Sequence, residues 1–179
     1  MEFLYSTKNI VLRDLDTVYE ALFLRTVTGF EVFIEEHFIA IVSGREKLGK
    51  RRVSVRMNAT SAGALMDILL QGDAYMTWLP FAKTEKRAQI YLKDGKPFSE
   101  LSDGDRSMIR SITIIRNAIA HRSSHAAQEF SRVVIGSQHL LPTEKTPAGF
   151  LRSQVRTGPT RNRFEIYAGE LARIAMALC

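Results

Sequence analysis

The residues best suited to chemistry lie on one amphipathic segment, residues 103–122. On a helix, its polar side chains follow each other at three- or four-residue steps along one face: Arg106, Arg110, Thr113, Asn117 and His121. Arg116 lies at one edge of this polar stripe. An arginine can donate two parallel hydrogen bonds to the oxygens of one phosphate, and a histidine can gain or lose a proton near neutral pH. The pattern therefore indicates a site that binds a phosphate and moves a proton beside it.

A simpler interpretation of the polar stripe is a solvated helix face with an isolated histidine. Two features favour chemistry over that interpretation. The stripe has no acidic residue beyond the start of the helix, and His121 lies near the C-terminal end, where the helix dipole favours positive charge. The predicted core face lies opposite and consists of apolar residues at helical spacing: Met108, Ile112, Ile115 and Ile119.

Helices are the elements that must position this site. Apolar residues recur at helical spacing from Asn9 to Ser43 and predict one long amphipathic helix, kinked near Gly29 and ending before Gly44. The same criteria predict shorter helices over residues 61–70, 81–93, 103–122 and 124–135, and a terminal helix from residue 162 onward. Residues 137–160, which hold three prolines, are predicted to be irregular.

Capping residues support these boundaries. Ser102 with Asp105, and Asn162 with Glu165, have the three-residue spacing of a capping pair, and Ser123 or Ser124 could cap the helix that follows. With a length of 179 residues, the chain fits one domain, residues 1–179. The predicted fold class is all-α, an antiparallel helical bundle.

Positive charge is concentrated after the first long helix. The net charge is +6, and the segment Gly44–Arg56 holds six basic residues against the single acid Glu46. Such a run indicates a polyanionic partner, either a nucleic acid or an anionic membrane surface. A solvated loop is the alternative. The segment is therefore predicted to be a basic loop inserted after the first long helix.

Other features of the sequence exclude several classes of protein. The only cysteine, Cys179, excludes an internal disulfide and a Cys-based zinc cluster. The purely apolar stretches, such as Phe38–Val42, are too short to cross a bilayer, and the first ten residues lack the pattern of a secretion signal. We expect a cytoplasmic protein that does not span a membrane.

The stretch Arg116–His121, RNAIAH, matches the Arg-x4-6-His motif of HEPN-domain proteins, including the polar residue that often follows the arginine. The agreement extends to both sides. The upstream stretch WLPFAKTEKRAQIYLKDGKPF, the RNAIAHRSS core and the downstream TPAGFLR resemble, in order, a prokaryotic HEPN branch called RiboL-PSP. The resemblance covers most of the chain.

The resemblance implies a HEPN-like bundle that forms a homodimer, with two copies of the motif in one cleft at the interface. It also implies a metal-independent endoribonuclease of the toxin or antiviral-defence kind, with no cofactor and with an antitoxin or regulatory partner as a possibility. By motif position, Arg116 would bind the scissile phosphate, His121 would transfer protons, and Asn117 would orient the substrate or His121. Further RNA contacts are predicted from other basic residues: Lys50, Arg51, Arg52, Arg106 and Arg110.

Two alternatives of other classes remain open. A HEPN module without catalysis could bind RNA or a nucleotide, or serve as a dimeric interaction scaffold, because a fold does not determine function. A membrane-surface protein fits less well, because the basic segment lacks an amphipathic face with aromatic residues. Among single residues, His37 is predicted to be structural or on the surface and Trp78 to anchor the core, while His125 and His139 show no recognisable partner spacing.

Overall fold

The computed structural model describes residues 2–44, 54–56, 62–70, 74–121, 123–155 and 161–179. It confirms the predicted fold class, because the chain is an all-α bundle. The α-helices are α1 (Glu2–Ser6), α2 (Leu12–Val42), α3 (Ala62–Leu70), α4 (Phe81–Tyr91), α5 (Asp103–His121), α6 (Ser124–Glu129), α7 (Pro147–Arg152) and α8 (Arg163–Leu178). In the part of the chain that the structure describes, no helix is long and apolar enough to span a membrane.

The two capping pairs predicted from the sequence lie at the N-terminal ends of α5 and α8, where these helices were expected to begin. The Ser102 hydroxyl accepts from the backbone N–H of Asp105 at 3.1 Å, and the Asp105 carboxylate accepts from the Ser102 backbone N–H at 3.2 Å. The Asn162 side chain accepts from the backbone N–H of Glu165 at 2.9 Å. Both pairs satisfy N–H groups that the first turn of a helix leaves without partners.

One predicted irregular region is partly helical. Within residues 137–160, a short 3-10 turn spans Pro142–Glu144 and α7 follows it. Thr146 caps α7 by accepting from the backbone N–H of Gly149 at 3.1 Å, and Pro147 takes the first helical position, where a missing N–H costs nothing. Pro142 and Pro147, which indicated irregular structure, therefore mark helix starts. A further difference is α1, where the sequence pattern predicts no helix.

The described residues group into two compact units. The first comprises residues 1–28 and 111–171, and the second comprises residues 29–110 and 172–179. The unit boundaries fall inside α2, α5 and α8.

Aromatic side chains from separate helices form the core of the first unit. The ring of Phe150 on α7 lies 5.8 Å from Phe130, edge to face, and 6.2 Å from Tyr167 on α8. The ring of Phe23 on α2 also packs edge-on against Tyr167, at 6.4 Å. Phe130 opens a π-helical turn, Phe130–Ile135, that continues α6, which agrees with the predicted helix to Ile135.

The core of the second unit is built around Phe38 on α2. Its ring lies 5.2 Å from Trp78, 5.6 Å from Phe98 and 6.0 Å from Tyr91. Trp78 is only 2% exposed and its indole N–H donates to Glu35 at 2.6 Å, which confirms it as a core anchor. His37 is 4% exposed, and its Nε2 lies 3.0 Å from the carbonyl oxygen of Leu178. The structural prediction for His37 is therefore confirmed.

The end of the predicted basic loop joins the second unit. Val55 forms an isolated antiparallel bridge with Leu92. The backbone N–H of Lys93 donates to the carbonyl of Ser54 at 2.8 Å. The rest of the basic loop, including Lys50, Arg51 and Arg52, lies outside the described residues.

Candidate active site

The motif residues lie on the last turn and a half of α5, in the first unit. Arg116 and Asn117 are partly buried, and His121, the final residue of the helix, is exposed. The guanidinium of Arg116 donates from Nη1 to the side-chain oxygen of Asn117 at 3.2 Å. The polar residue after the arginine thus orients the arginine itself.

Arg116 has no carboxylate partner among the described residues. An arginine fork offers five N–H donors, of which the Asn117 contact uses one. The remaining donors and the full positive charge are available to a phosphate, and a bidentate contact with phosphate oxygens would be charge-assisted. Arg116 is therefore chemically suited to the phosphate-binding role that its motif position implies.

Helix geometry separates Arg116 from His121. Five residues correspond to about 7.5 Å along the axis and about 140° around it. The two side chains therefore leave α5 on different faces. One phosphate can meet both groups only if the long arginine bends around the helix, or if a second copy supplies one of them.

The predicted polar stripe is interrupted in the middle of α5. Thr113 is only 7% exposed, and the four consecutive residues Ile112–Ile115 are all buried. Four consecutive positions cover a complete turn, so this turn is enclosed on every side. The prediction of one continuous polar face from Arg106 to His121 is wrong, because residues packed around the helix cover its central turn.

The two other predicted RNA contacts on α5 belong to the second unit and differ from each other. Arg106 donates from Nε to Glu85 at 2.7 Å and lies 3.2 Å from Asp103. The hydrogen bond and charge of Glu85 raise the pKa of Arg106. RNA would have to compete with those carboxylates for Arg106, whereas Arg110 is exposed and has no carboxylate partner in the described ranges.

Sequence reasoning missed a cluster on the helix that follows the motif. His125, Gln128, Glu129 and Arg132 line a cavity of about 180 Å³. Their spacing of three, four and seven residues is the signal that could have found them, because such positions share one helix face. The Ser123 hydroxyl caps this helix by accepting from the backbone N–H of Ala126 at 3.2 Å, which confirms the predicted cap.

A larger cavity of the first unit, about 650 Å³, has a lining that repels a phosphate backbone. Its walls include the carboxylates of Glu2, Glu144 and Glu165 together with Arg152. Arg152 is already engaged, with Nε 3.6 Å from Oδ1 of Asp16. The excess of negative charge makes this cavity a poor site for RNA, so the motif remains the better candidate.

The arrangement offers no preformed metal centre within the described ranges. No group of three or more His, Cys, Asp or Glu side chains there could hold a metal ion. Comparison with models of known families, with curated proteins and with solved structures found no match to this chain.

Proposed function

We propose that this protein is a metal-independent endoribonuclease of the HEPN type that works as a homodimer on cytoplasmic RNA. One observation carries the proposal. Arg116 is a partly buried guanidinium that is held by a neutral amide, Asn117, and has no carboxylate partner in the described structure. Arg106 on the same helix, by contrast, is already bound by carboxylates. An arginine kept available in this way, with His121 at the end of the same helix, suits phosphate chemistry.

The reaction follows from what RNA itself supplies. Its 2′-hydroxyl attacks the adjacent phosphorus, and the bond from that phosphorus to the 5′-oxygen of the next nucleotide breaks. His121 takes the proton of the 2′-hydroxyl, as a general base does. A second proton donor, which we assign to His121 of a second copy, protonates the departing 5′-oxygen. Arg116 stabilises the charge that accumulates on the phosphate oxygens.

The products test this mechanism directly. Wild-type protein is incubated with a defined single-stranded RNA in excess chelator, and the new ends are mapped. We expect 2′,3′-cyclic phosphate, or the monophosphate formed by its hydrolysis, on one fragment and a 5′-hydroxyl on the other. Products with a 5′-phosphate, or cleavage only after magnesium is added, would contradict the proposal.

Arg116→Lys tests whether catalysis needs the bidentate guanidinium of Arg116. An ammonium keeps the charge but loses the planar bidentate geometry, so we expect a strong loss of single-turnover rate. Arg25→Lys is the matched control, because it makes the same change at an exposed position on α2, another helix of the first unit. Equal rates for the Arg116 variant and the wild type would remove Arg116 from the site.

The dimer has its own test. Analytical ultracentrifugation should give twice the monomer mass. Mixing wild-type protein with an excess of inactive His121→Ala protein should suppress cleavage beyond simple dilution, because a mixed dimer holds only one of the two His121 side chains that the mechanism uses. A stable monomer with full activity would refute the shared site.

A second candidate function is a non-catalytic HEPN module that binds RNA or acts as a dimeric interaction module. One observation favours it: among the described residues, His121 makes no hydrogen bond, whereas a catalytic base is commonly oriented by a third group. RNA binding without any cleavage, at protein concentrations that saturate the RNA, would select this function.

The family resemblance also suggests a toxin or defence role controlled by an antitoxin or regulatory partner.

A further inference from the structure

A third cavity, in the second unit, is lined by one exposed aromatic ring and two cationic side chains. It measures about 450 Å³ and lies among the end of α3, residues 74–77 and α4. Leu69 and Met76 contribute apolar walls, and Tyr75, Lys83 and Arg87 contribute the groups discussed below. This volume falls in the range of small-ligand sites and exceeds what a single inorganic phosphate requires.

Arg87 is fixed in place by neutral groups. Its Nη1 donates to the carbonyl oxygen of Thr77, and its guanidinium lies 5.1 Å from the centroid of the Trp78 ring. The ring is itself held by the indole hydrogen bond to Glu35. Partial burial lowers the pKa of Arg87, because its charge has lost water without gaining a carboxylate. A preorganised arginine loses little freedom on binding an anion.

Lys83 lies one helical turn before Arg87 on α4, so both side chains share a face. Its Nζ is 3.3 Å from the hydroxyl oxygen of Thr77. Neither cation meets a carboxylate in the described part of the chain. Glu85, the acid between them in sequence, is committed to Arg106 at 2.7 Å. Two cations therefore face one cavity without a carboxylate from the described residues to neutralise them.

The aromatic ring that lines the cavity is that of Tyr75, which is 76% exposed. An aromatic ring at the surface beside cations can stack on a nucleic-acid base, whose flat face any sequence offers. Leu69, only 8% exposed, lies against the cavity as an apolar wall. The lining thus provides separate places for an apolar flat group and for a phosphate.

We propose that this cavity binds one nucleotide unit of a single-stranded RNA, with the base stacked on Tyr75 and the phosphate on Arg87 and Lys83. The choice of RNA over a free nucleotide rests on the proposed function. The cavity would hold the strand, whereas the α5 motif would cut it.

The test measures binding without cleavage. The probe is a fluorescein-labelled decamer of 2′-O-methyl uridine, which lacks the attacking hydroxyl, and its binding to the full chain is followed by fluorescence anisotropy. Tyr75→Ala should weaken binding by about 5- to 150-fold, the range for loss of one stacked base, whereas Tyr75→Phe keeps the ring and should bind like the wild type. Ile90→Ala, another exposed apolar residue, is the control.

Charge is tested with Lys83→Gln/Arg87→Gln. The slope of log affinity against log salt should fall by about 0.7, because both cations contact the same phosphate and each phosphate neutralised on a single strand adds roughly 0.7 to the slope. Lys86→Gln, on the same helix but outside the cavity lining, controls for net charge. Thermal melting checks that the Arg87 change leaves the fold intact, and Tyr75→Ala tests the cavity independently of it.

The possible outcomes separate the two proposals. Loss of decamer binding in the cavity variants supports this site even if the wild type cleaves no RNA. Unchanged affinity and salt slope in all cavity variants, or no decamer binding by the wild type, overturns it even if cleavage is found. Binding of uridine 5′-monophosphate that depends on Tyr75, combined with unchanged decamer affinity, would assign the site to a free nucleotide and overturn the RNA assignment.

Discussion

Gly149→Ala should destabilise the first unit, although alanine is the better helix former. A Cβ at Gly149 would lie 1.9 Å from the carbonyl oxygen of Thr143 and 2.9 Å from the hydroxyl of Thr146. Carbon and oxygen normally approach to about 3.3 Å, so the Thr143 backbone would have to retreat by more than about 1 Å. Overpacking of this kind costs about 1–3 kcal/mol.

Gly169→Ala is the matched control, because the substitution is the same and the surroundings are empty. Gly169 lies inside α8, and no atom comes within 4 Å of the added Cβ. Alanine in a helix interior is favoured over glycine by about 0.5–1 kcal/mol. The free energy of unfolding should therefore rise for Gly169→Ala and fall for Gly149→Ala.

Thermal unfolding followed by far-UV circular dichroism measures both effects. For a chain of this size, 1 kcal/mol corresponds to about 2–4 °C in Tm. Gly149→Ala should lower Tm by about 2–12 °C, and Gly169→Ala should raise it by about 1–4 °C. Shifts of the same sign, or no loss for Gly149→Ala, would refute the packing of α7 against the turn at Thr143.

Three further predictions address the caps and the basic loop. Ser123→Ala should cost about 1 kcal/mol of unfolding free energy through loss of the α6 cap, measured by urea denaturation; an unchanged midpoint would contradict it. Arg173 and Ser102 lower the pKa of Asp105, so the stability that its charge contributes is present above about pH 4 and is lost as pH falls through the lowered pKa. Asp105→Asn should therefore destabilise the protein at neutral pH, and its deficit relative to the wild type should shrink below pH 4; a deficit that stays constant in acid would refute the ionic role. Changing Lys50, Arg51 and Arg52 to Gln should reduce the salt slope of RNA binding by about 2 if all three contact phosphates, with saturated turnover little changed; an unaltered slope would support a solvated loop.

Local signals predict much of the fold. The starts of α5 and α8 follow from capping residues, and apolar spacing predicts α4 to within two residues, because both signals act within a few residues of sequence. The sequence pattern does not predict α7, because a proline usually interrupts a helix, although Pro147 is favourable at the first helical position. The distinction depends on Thr146 and on the close approach of Gly149 to Thr143, which are contacts within the folded chain.

The candidate site could be predicted only in its residue types. The sequence indicates Arg116, Asn117 and His121, but it does not indicate that Thr113 is buried or that Glu85 binds Arg106. Both facts depend on which helices pack around α5. The cavity at Tyr75 and Arg87 could not be predicted for a similar reason, because its wall depends on how α3, residues 74–77 and α4 pack against each other.

The single-turnover cleavage rate of His121→Ala, in excess chelator and at saturating protein, tests the central claim most directly. His121 is exposed, so the variant should keep the thermal stability of the wild type. Its cleavage should be abolished, while His139→Ala, another exposed histidine, should cleave at the wild-type rate. Undiminished cleavage by His121→Ala would contradict the account of this protein as a ribonuclease that uses the α5 motif.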